Sequence, residues 1–121
     1  MAVLRIVPDM AVDDPAKAQA FYGTLLGLDC QMDMGWVATY GATAPAKPQI
    51  TFATEGGSGA PVPALSIEVD DFEDTLDRLS AAGHTPTYGP VDEPWGVRRF
   101  FVKDPFGTLL NILTHLPKPA E

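Results

Sequence analysis

Polar residues inside apolar runs are the first places in this sequence where chemistry could occur. Asn111 lies in the middle of the run TLLNILTH, directly after the turn Asp104-Pro105-Phe106-Gly107. Burying an amide costs free energy unless it is hydrogen-bonded, so an amide within a strand needs a partner or a task. Asn111 is therefore a candidate ligand-binding residue, which either replaces a metal-binding acid or fills a polar pocket.

Strand alternation indicates two further polar candidates for the site, because residues two apart in a strand point to the same face. His115 shares a face with Asn111, and Asp9 shares a face with Val7 in the first apolar run. Asp9, Asn111 and His115 form an alternative set of metal ligands, since a catalytic metal site needs three convergent ligands. Asp9 or His115 could also be the general base of a metal-free enzyme.

An arginine and several aromatic side chains could line a pocket. Arg98 and Arg99 are neighbours on one predicted strand, so they point to opposite faces. We predict Arg98 as a ligand-binding residue that could hold a carboxylate or phosphate bidentately, although the facing of the pair stays open. The aromatic candidates for the wall of a pocket are Trp36, Tyr40, Trp95, Phe100 and Phe101.

An internal repeat organises the elements that position these residues. Val12-Asp13-Asp14 precedes one helical segment, Val69-Asp70-Asp71 precedes a second about half the chain later, and Gly27 and Gly83 end the two segments. Each half predicts the order strand, helix, three strands. Module one covers about residues 4–54, a linker covers 55–60, and module two covers about 61–115. The pattern predicts an α+β fold made of two βαβββ modules.

Local signals predict the approximate bounds of the elements in the two modules. Asp14 is the candidate N-cap of the first helix with Pro15 at its first position. The apolar stripe of that helix comprises Ala18, Phe21, Tyr22, Leu25 and Leu26. In module two we predict strands at 61–69, 84–88, 97–103 and 108–115. Glu68 is expected to face solvent or a subunit interface, and Asp92 and Glu93 are expected in a loop.

Composition narrows the classes of function. Eight Lys and Arg residues against sixteen Asp and Glu residues give a net charge of −8, which argues against binding to nucleic acid. A negative field could favour a cationic ligand. Cys30 is the single cysteine, so an intramolecular disulfide is excluded. No apolar run reaches the roughly 18 residues of a membrane helix, and no signal peptide is evident, so we expect a cytoplasmic protein that does not bind membranes.

The order of these motifs resembles the vicinal oxygen chelate superfamily, which includes glyoxalase I, bleomycin-resistance proteins and extradiol dioxygenases. The segments that carry the resemblance are VDDPAKAQAFYGTLLGL (12–28), VDDFEDTLDRLSAAG (69–83) and WGVRRFFVKDPFG (95–107). The resemblance implies two βαβββ modules whose curved mixed sheets form a cavity. It also implies a homodimer, with or without exchange of modules between subunits.

The resemblance implies metal ligands that this chain does not carry. The family's usual His, His or Glu, and Glu positions fall on Val7, Ala64 and Asn111. Valine and alanine have no donor atom, and a neutral amide replaces a carboxylate poorly. We therefore predict no metal cofactor and a cavity that binds a small organic molecule, with drug sequestration of the bleomycin-resistance type as the nearest function.

The predicted ligand-binding residues are Val7, Asp9, Trp36, Trp95, Arg98, Phe100 and Asn111. The alternative is a metal-dependent lyase, isomerase or dioxygenase with relocated ligands for zinc, nickel, manganese or iron, for which Asp9 and His115 are the fallback residues.

Overall fold

The computed structural model of the protein describes residues 3–118. The chain divides into two compact units. The N-terminal unit is Val7–Val62, and the C-terminal unit joins residues 3–6 to residues 63–118. The elements run twice in the order strand, helix, three strands, which confirms the predicted α+β class and its two βαβββ modules. None of the helices among residues 3–118 is long and apolar enough to cross a membrane.

The N-terminal unit contains a sheet in the order β2-β3-β4-β1. Its strands are residues 7–11 of β1 (Val3–Ala11), together with β2 (Asp29–Asp33), β3 (Val37–Gly41) and β4 (Gln49–Ala53). β1 runs parallel to β4, and such a parallel pair needs a long connection between its strands. Part of that connection is a 3₁₀ turn at Pro15–Lys17 and a π-helix at Gln19–Leu25.

The start of this helical segment follows the prediction. The side chain of Asp14 accepts a hydrogen bond of 3.0 Å from the backbone N–H of Ala16, and Pro15 holds the first helical position. Asp14 therefore satisfies one of the N–H groups that a helix start leaves without a partner. The segment ends at Gly27, whose φ of 78° is a conformation that glycine adopts without steric cost.

The predicted apolar stripe of this helix is buried only in part. Ala18 is buried, and the ring of Tyr22 packs 4.7 Å from the ring of Phe52. In contrast, Phe21, Leu25 and Leu26 are 54%, 73% and 58% exposed. The spacing was interpreted with α-helical periodicity, but the backbone N–H of Leu26 bonds the carbonyl of Phe21 five residues earlier. The wider π-helical turn rotates these side chains away from the core.

The C-terminal unit contains a sheet in the order β5-β8-β7-β6, crossed on one side by helix α1. Its elements are β5 (Leu65–Val69), α1 (Phe72–Ala81), β6 (Tyr88–Glu93), β7 (Val97–Lys103) and β8 (Leu109–His115). β5 is parallel to β8, whereas β6 and β8 each run antiparallel to β7. The predicted strand at 97–103 is confirmed, and the predicted strand at 108–115 differs by one residue.

Two expectations about this unit are wrong. The strand placed at 84–88 lies at Tyr88–Glu93 instead, because the Gly89-Pro90 pair does not end it. β6 is an edge strand, where proline is tolerated, and its register shifts between Tyr88 and Val91. Asp92 and Glu93 accordingly lie in a strand, and Glu93 is buried rather than part of a solvated loop.

One face of this sheet packs against α1. We call it the helix face. Its buried core comprises Val69, Phe72, Phe100, Val102 and Ile112. The rings of Phe72 on α1 and Phe100 on β7 lie 5.3 Å apart in an edge-to-face arrangement. Burying an aromatic side chain of this kind stabilises a fold by about 1.5–3 kcal/mol, so the helix face anchors the sheet.

Candidate functional site

The opposite face of the same sheet carries the polar residues. Asn111 on β8 is paired with Ser66 on β5 and with Phe101 on β7. Residues paired across neighbouring strands point to the same face, as do residues two apart in one strand. We call this side the Asn111 face. Its members from β5, β7 and β8 include Ser66, Glu68, Arg99, Phe101, Asn111, Leu113 and His115.

Asn111 is buried, with 8% of its surface exposed. Its Nδ2 donates a hydrogen bond of 3.1 Å to the hydroxyl of Ser66, while its Oδ1 has no partner among the described residues. Exchanging the oxygen and nitrogen of the amide leaves one polar atom without a partner in either orientation. An unsatisfied buried polar atom costs about 1–3 kcal/mol. This amide therefore keeps one unused hydrogen-bonding atom in the interior.

Glu68 is held between two basic side chains on the same face. Arg5 Nε donates to Glu68 Oε1 at 2.6 Å, and His115 Nδ1 lies 2.6 Å from Glu68 Oε2. The Glu68 side chain is 16% exposed, so it does not face open solvent, and its place at a subunit interface stays a prediction. Burial alone would raise the pKa of Glu68, but the hydrogen bonds and charges of His115 and Arg5 lower that pKa overall.

Arg99 forms a buried ion pair at the other end of the face. Its Nε and Nη2 donate to Glu93 Oε2 at 2.7 and 2.5 Å, and the hydroxyl of Tyr88 donates to the same oxygen at 2.9 Å. The guanidinium carbon lies 5.3, 4.9 and 4.8 Å from the ring centres of Tyr88, Trp95 and Phe101. These rings therefore already surround a cation that belongs to the protein.

Arg98 and Phe100 lie on the helix face, away from Asn111. Arg98 bonds the carboxylate of Asp92 at 2.6 Å and lies 3.9 Å from Glu73 of α1. The hydrogen bond from Arg98, with its charge, lowers the pKa of Asp92. Phe100 is fully buried in the helix-face core. The structure thus assigns Arg99, not Arg98, to the Asn111 face, and Phe100 to packing.

The remaining predicted residues are spread over the two units. Trp95 is half-buried beside Arg99. In the N-terminal unit, Val7 is buried, Asp9 is half-buried opposite Thr51 in the sheet, and Trp36 is half-buried just before β3. Asp9 and Trp36 thus belong to a different unit from Asn111, and they stay predictions as ligand-binding residues.

The residues at the family's metal positions do not fit a metal. Val7 is an alkyl side chain in the core, Ala64 is exposed, and Asn111 bonds Ser66 through its amide nitrogen. Within residues 3–118, no cluster brings together three His, Cys, Asp or Glu side chains that could hold a metal ion. Glu68 and His115 make a pair of donors, which is one short of the set that a catalytic metal site needs.

Two clefts lie apart from the Asn111 face. One, of about 310 Å³, is in the N-terminal unit and is lined by residues that include Met10, Tyr22 and Phe52. The other, of about 280 Å³, is in the C-terminal unit between the helix face and α1, beside Leu79 and Val102. Asn111 lines neither of these two clefts.

The sequence did not single out four members of this face: Arg5, Ser66, Glu68 and Glu93. A usable signal was the alternation of β5, in which Ser66 and Glu68 separate the apolar Leu65, Ile67 and Val69. That pattern predicts a polar face, but one sequence does not show which strand lies beside it.

Comparisons with known proteins agree with this fold. The family model of the Glyoxalase/Bleomycin resistance protein/Dioxygenase superfamily matches residues 3–112. An NAD-dependent benzaldehyde dehydrogenase structure from Legionella pneumophila is 18% identical, with a TM-score of 0.71 over 92% of this chain and 99% of that one. A superfamily member from Vibrio splendidus 12B01 is 18% identical, with a TM-score of 0.61 over 93% and 98%.

Methylmalonyl-CoA epimerase from Mycobacterium tuberculosis is also 18% identical, with a TM-score of 0.65 over 93% of this chain and 86% of that one. Likeness at this level of identity shows a shared fold, and it does not by itself show a shared activity. A comparison with curated proteins gave no match. The family model covers most of the chain, in agreement with the two βαβββ modules, and the chain therefore belongs to the Glyoxalase/Bleomycin resistance protein/Dioxygenase superfamily.

Proposed function

We propose that this protein binds a small organic molecule against the Asn111 face without the help of a metal ion. The observation that carries the proposal is the buried Oδ1 of Asn111, which has no hydrogen-bond partner among the described residues. An acceptor of this kind fits a ligand that presents a hydroxyl or N–H donor. The apolar neighbours Phe101 and Leu113 on the same face suit an aromatic or aliphatic body.

The alternative is a metal-dependent lyase, isomerase or dioxygenase, which the family resemblance also implies. It would need relocated ligands, because Val7 and Ala64 offer no donor atom. Metal content after purification without chelator, followed by titration with zinc, nickel, manganese and iron, separates the two functions. We expect no saturable thermal shift with any of these ions, and a near-stoichiometric metal would favour the alternative.

Drug sequestration of the bleomycin-resistance type is a narrower form of this proposal. The net charge of −8 favours it, since a negative field attracts a cationic drug. The ring cluster of Tyr88, Trp95 and Phe101 counts against a cation at that place, because Arg99 already lies among the rings. We therefore propose a ligand that is neutral where it meets Asn111.

We also propose that the protein is a homodimer, as the family resemblance implies. Three apolar side chains of the helical segment in the N-terminal unit, Phe21, Leu25 and Leu26, are each more than half exposed. Exposed apolar side chains that lie together are typical of an interaction surface. Sedimentation equilibrium of the native chain and of Leu25→Glu tests this assignment. We expect a dimer that the charge weakens, and a monomeric native chain would contradict it.

The binding proposal is tested by a thermal-shift screen of phenols and aryl amides in the presence of EDTA. The same screen is run on Asn111→Leu, in which the side chain has a similar size and no polar atom. We expect saturable shifts for the native chain that the variant loses. Equal shifts in the variant would mean that the ligands bind elsewhere.

A further inference from the structure

We propose that Glu68 and His115 form a proton-transfer site on the Asn111 face, with His115 as the catalytic base and Glu68 as the residue that positions it. This inference deepens the proposed function, because it concerns a molecule held on the same face. The substrate class is a carbon acid: a small organic molecule with a C–H bond that a neighbouring electron-withdrawing group activates.

Glu68 determines the tautomer of His115. The lowered pKa of Glu68 keeps its side chain a carboxylate near neutral pH, and a carboxylate only accepts hydrogen bonds. The 2.6 Å contact therefore requires His115 Nδ1 to donate to Glu68 Oε2. A neutral imidazole with its proton on Nδ1 carries a lone pair on Nε2. Glu68 thus fixes the base in its usable form.

The carboxylate of Glu68 is itself held in place by two basic side chains. Arg5 Nε holds Oε1 at 2.6 Å, while His115 takes Oε2, so each oxygen of Glu68 has its own basic partner. Glu68 is mostly buried, whereas 53% of the His115 side chain is exposed. A buried group thus holds an exposed imidazole, which is the arrangement of a base with an orienting residue behind it.

Glu68 and His115 lie on the same face as Asn111. Glu68 and His115 lie four residues beyond the positions where the family resemblance implies metal ligands, from 64 to 68 and from 111 to 115. His115 is on the same strand and face as Asn111, about 13 Å away at roughly 3.3 Å per residue. A ligand that spans much of that distance could bond Asn111 at one end and present a proton to Nε2 at the other.

The chemistry needs no other reagent. The C–H bond of the substrate breaks, its electron pair stays on the substrate, and the proton goes to Nε2. The imidazolium that forms is stabilised by the carboxylate of Glu68, and it gives the proton back to the substrate or to water. General base catalysis of this kind contributes about 10²–10⁴-fold in rate.

The test uses 5-nitrobenzisoxazole, which reports on a base beside an apolar surface. Removal of its C–H proton by His115 forms the nitrile, breaks the N–O bond and releases a coloured phenolate. His84 is the only other histidine of the sequence, so His84→Gln is a matched control. We expect turnover by the native chain that falls about a hundredfold in His115→Gln and stays unchanged in His84→Gln. Absence of turnover above buffer, or equal turnover in His115→Gln, would overturn the proposal.

The role of Glu68 has its own readout. In histidine-labelled protein, ¹⁵N spectra distinguish a proton on Nδ1 from one on Nε2. We expect the Nδ1–H form of His115 in the native chain, its loss in Glu68→Ala, and its retention in Glu68→Gln, which keeps an acceptor oxygen. The rate should fall about tenfold in Glu68→Ala and less in Glu68→Gln. An Nε2–H tautomer in the native chain would remove Glu68 from the mechanism.

The two proposals fail in different ways. If Asn111→Leu still binds phenols while His115→Gln stops turnover, the binding proposal fails and the proton-transfer site stands. If Asn111→Leu loses binding while His115→Gln keeps full turnover, the reverse holds. Thermal melting of each variant shows that it is folded, which we expect for His115 because its side chain is exposed at a strand end.

Discussion

The two faces of the β5-β8-β7-β6 sheet are built from alternate residues of the same strands, and the described buried polar side chains of this sheet lie on one of them. Phe100 and Ile112 point to α1 and are buried among apolar side chains. Their direct neighbours Arg99 and Asn111 point the other way and are equally buried, yet they are polar. The contrast teaches that α1 explains burial on one face only. The polar burial on the other face calls for a functional explanation.

The largest expected loss of stability comes from a cavity on the helix face. Phe100→Ala should lower the free energy of unfolding by about 3–5 kcal/mol, because the deleted ring leaves a void that the packed core cannot fill. Urea denaturation measures this change. The matched control is Phe106→Ala, in which the native side chain is 90% exposed, and its effect should stay within about 0.5 kcal/mol. Equal effects of the two variants would contradict the assignment of Phe100 to the core.

A substitution on the Asn111 face should lower the free energy of unfolding by a similar amount, for an electrostatic reason. Arg99→Leu leaves the carboxylate of Glu93 buried without its ion-pair partner, which costs about 3–5 kcal/mol. Arg98→Leu is the neighbouring control, since Arg98 is partly exposed and solvent screens its ion pairs, so its effect should be much smaller.

The double variant Arg99→Leu, Glu93→Leu sharpens this prediction. Removal of both charges should restore much of the lost stability, because no uncompensated charge remains in the interior. A double variant that is as unstable as Arg99→Leu alone would show that the aromatic contacts of Arg99, rather than its charge, hold this part of the face.

A smaller effect on stability is expected at Asn111 itself. Asn111→Leu removes an unsatisfied buried atom, so the free energy of unfolding should change by less than about 1 kcal/mol or increase. Affinity for a bound phenol should nevertheless fall by about tenfold, as expected for the loss of one buried hydrogen bond. Calorimetric titration measures the affinity, and a large loss of stability with unchanged affinity would indicate that Asn111 has a structural role.

The smallest expected effect is a pH dependence from Glu68. Its pKa is lower in the folded chain than in the unfolded chain, so the ionised form stabilises the fold above the usual glutamate pKa of about 4.3. That contribution is lost as the pH falls through the lowered value. The native chain should therefore lose more stability between pH 6 and pH 3 than Glu68→Gln does.

Denaturation with urea at each pH measures this difference. Asp77→Asn, which removes an exposed carboxylate of α1, provides a control for the general effect of lost charge. If Glu68→Gln and the native chain have the same pH dependence, the ion pairs of Glu68 with Arg5 and His115 contribute nothing to folding.

Much of the fold followed from the sequence because local signals agree with it. The Asp14-Pro15 start and the turns at Gly27 and Gly83 bound the helical segments, and the run at 97–103 is a strand as predicted. The π-helix escaped prediction because a change from i+4 to i+5 hydrogen bonds leaves no mark on an apolar pattern. The position of β6 escaped because Gly89-Pro90 looks like the end of a strand.

The candidate site was harder to predict, since its contacts join distant parts of the chain. Asn111 was identified from its place in an apolar run, but its partner Ser66 is set by the pairing of β5 with β8. Likewise, nothing in the local sequence of Glu68 shows that Arg5 and His115 approach it. Alternation places Arg98 and Arg99 on opposite faces, and only the position of α1 determines which of them packs beside Asn111.

The most direct test of ligand binding at the Asn111 face is a map of ligand contacts on the folded protein. Backbone amide spectra of ¹⁵N-labelled chain are recorded during titration with the phenol of highest affinity and with EDTA present. We predict saturable shifts centred on Ser66, Phe101 and Asn111, which are absent in Asn111→Leu. Shifts centred on the cleft beside Leu79 and Val102 in both chains would contradict it.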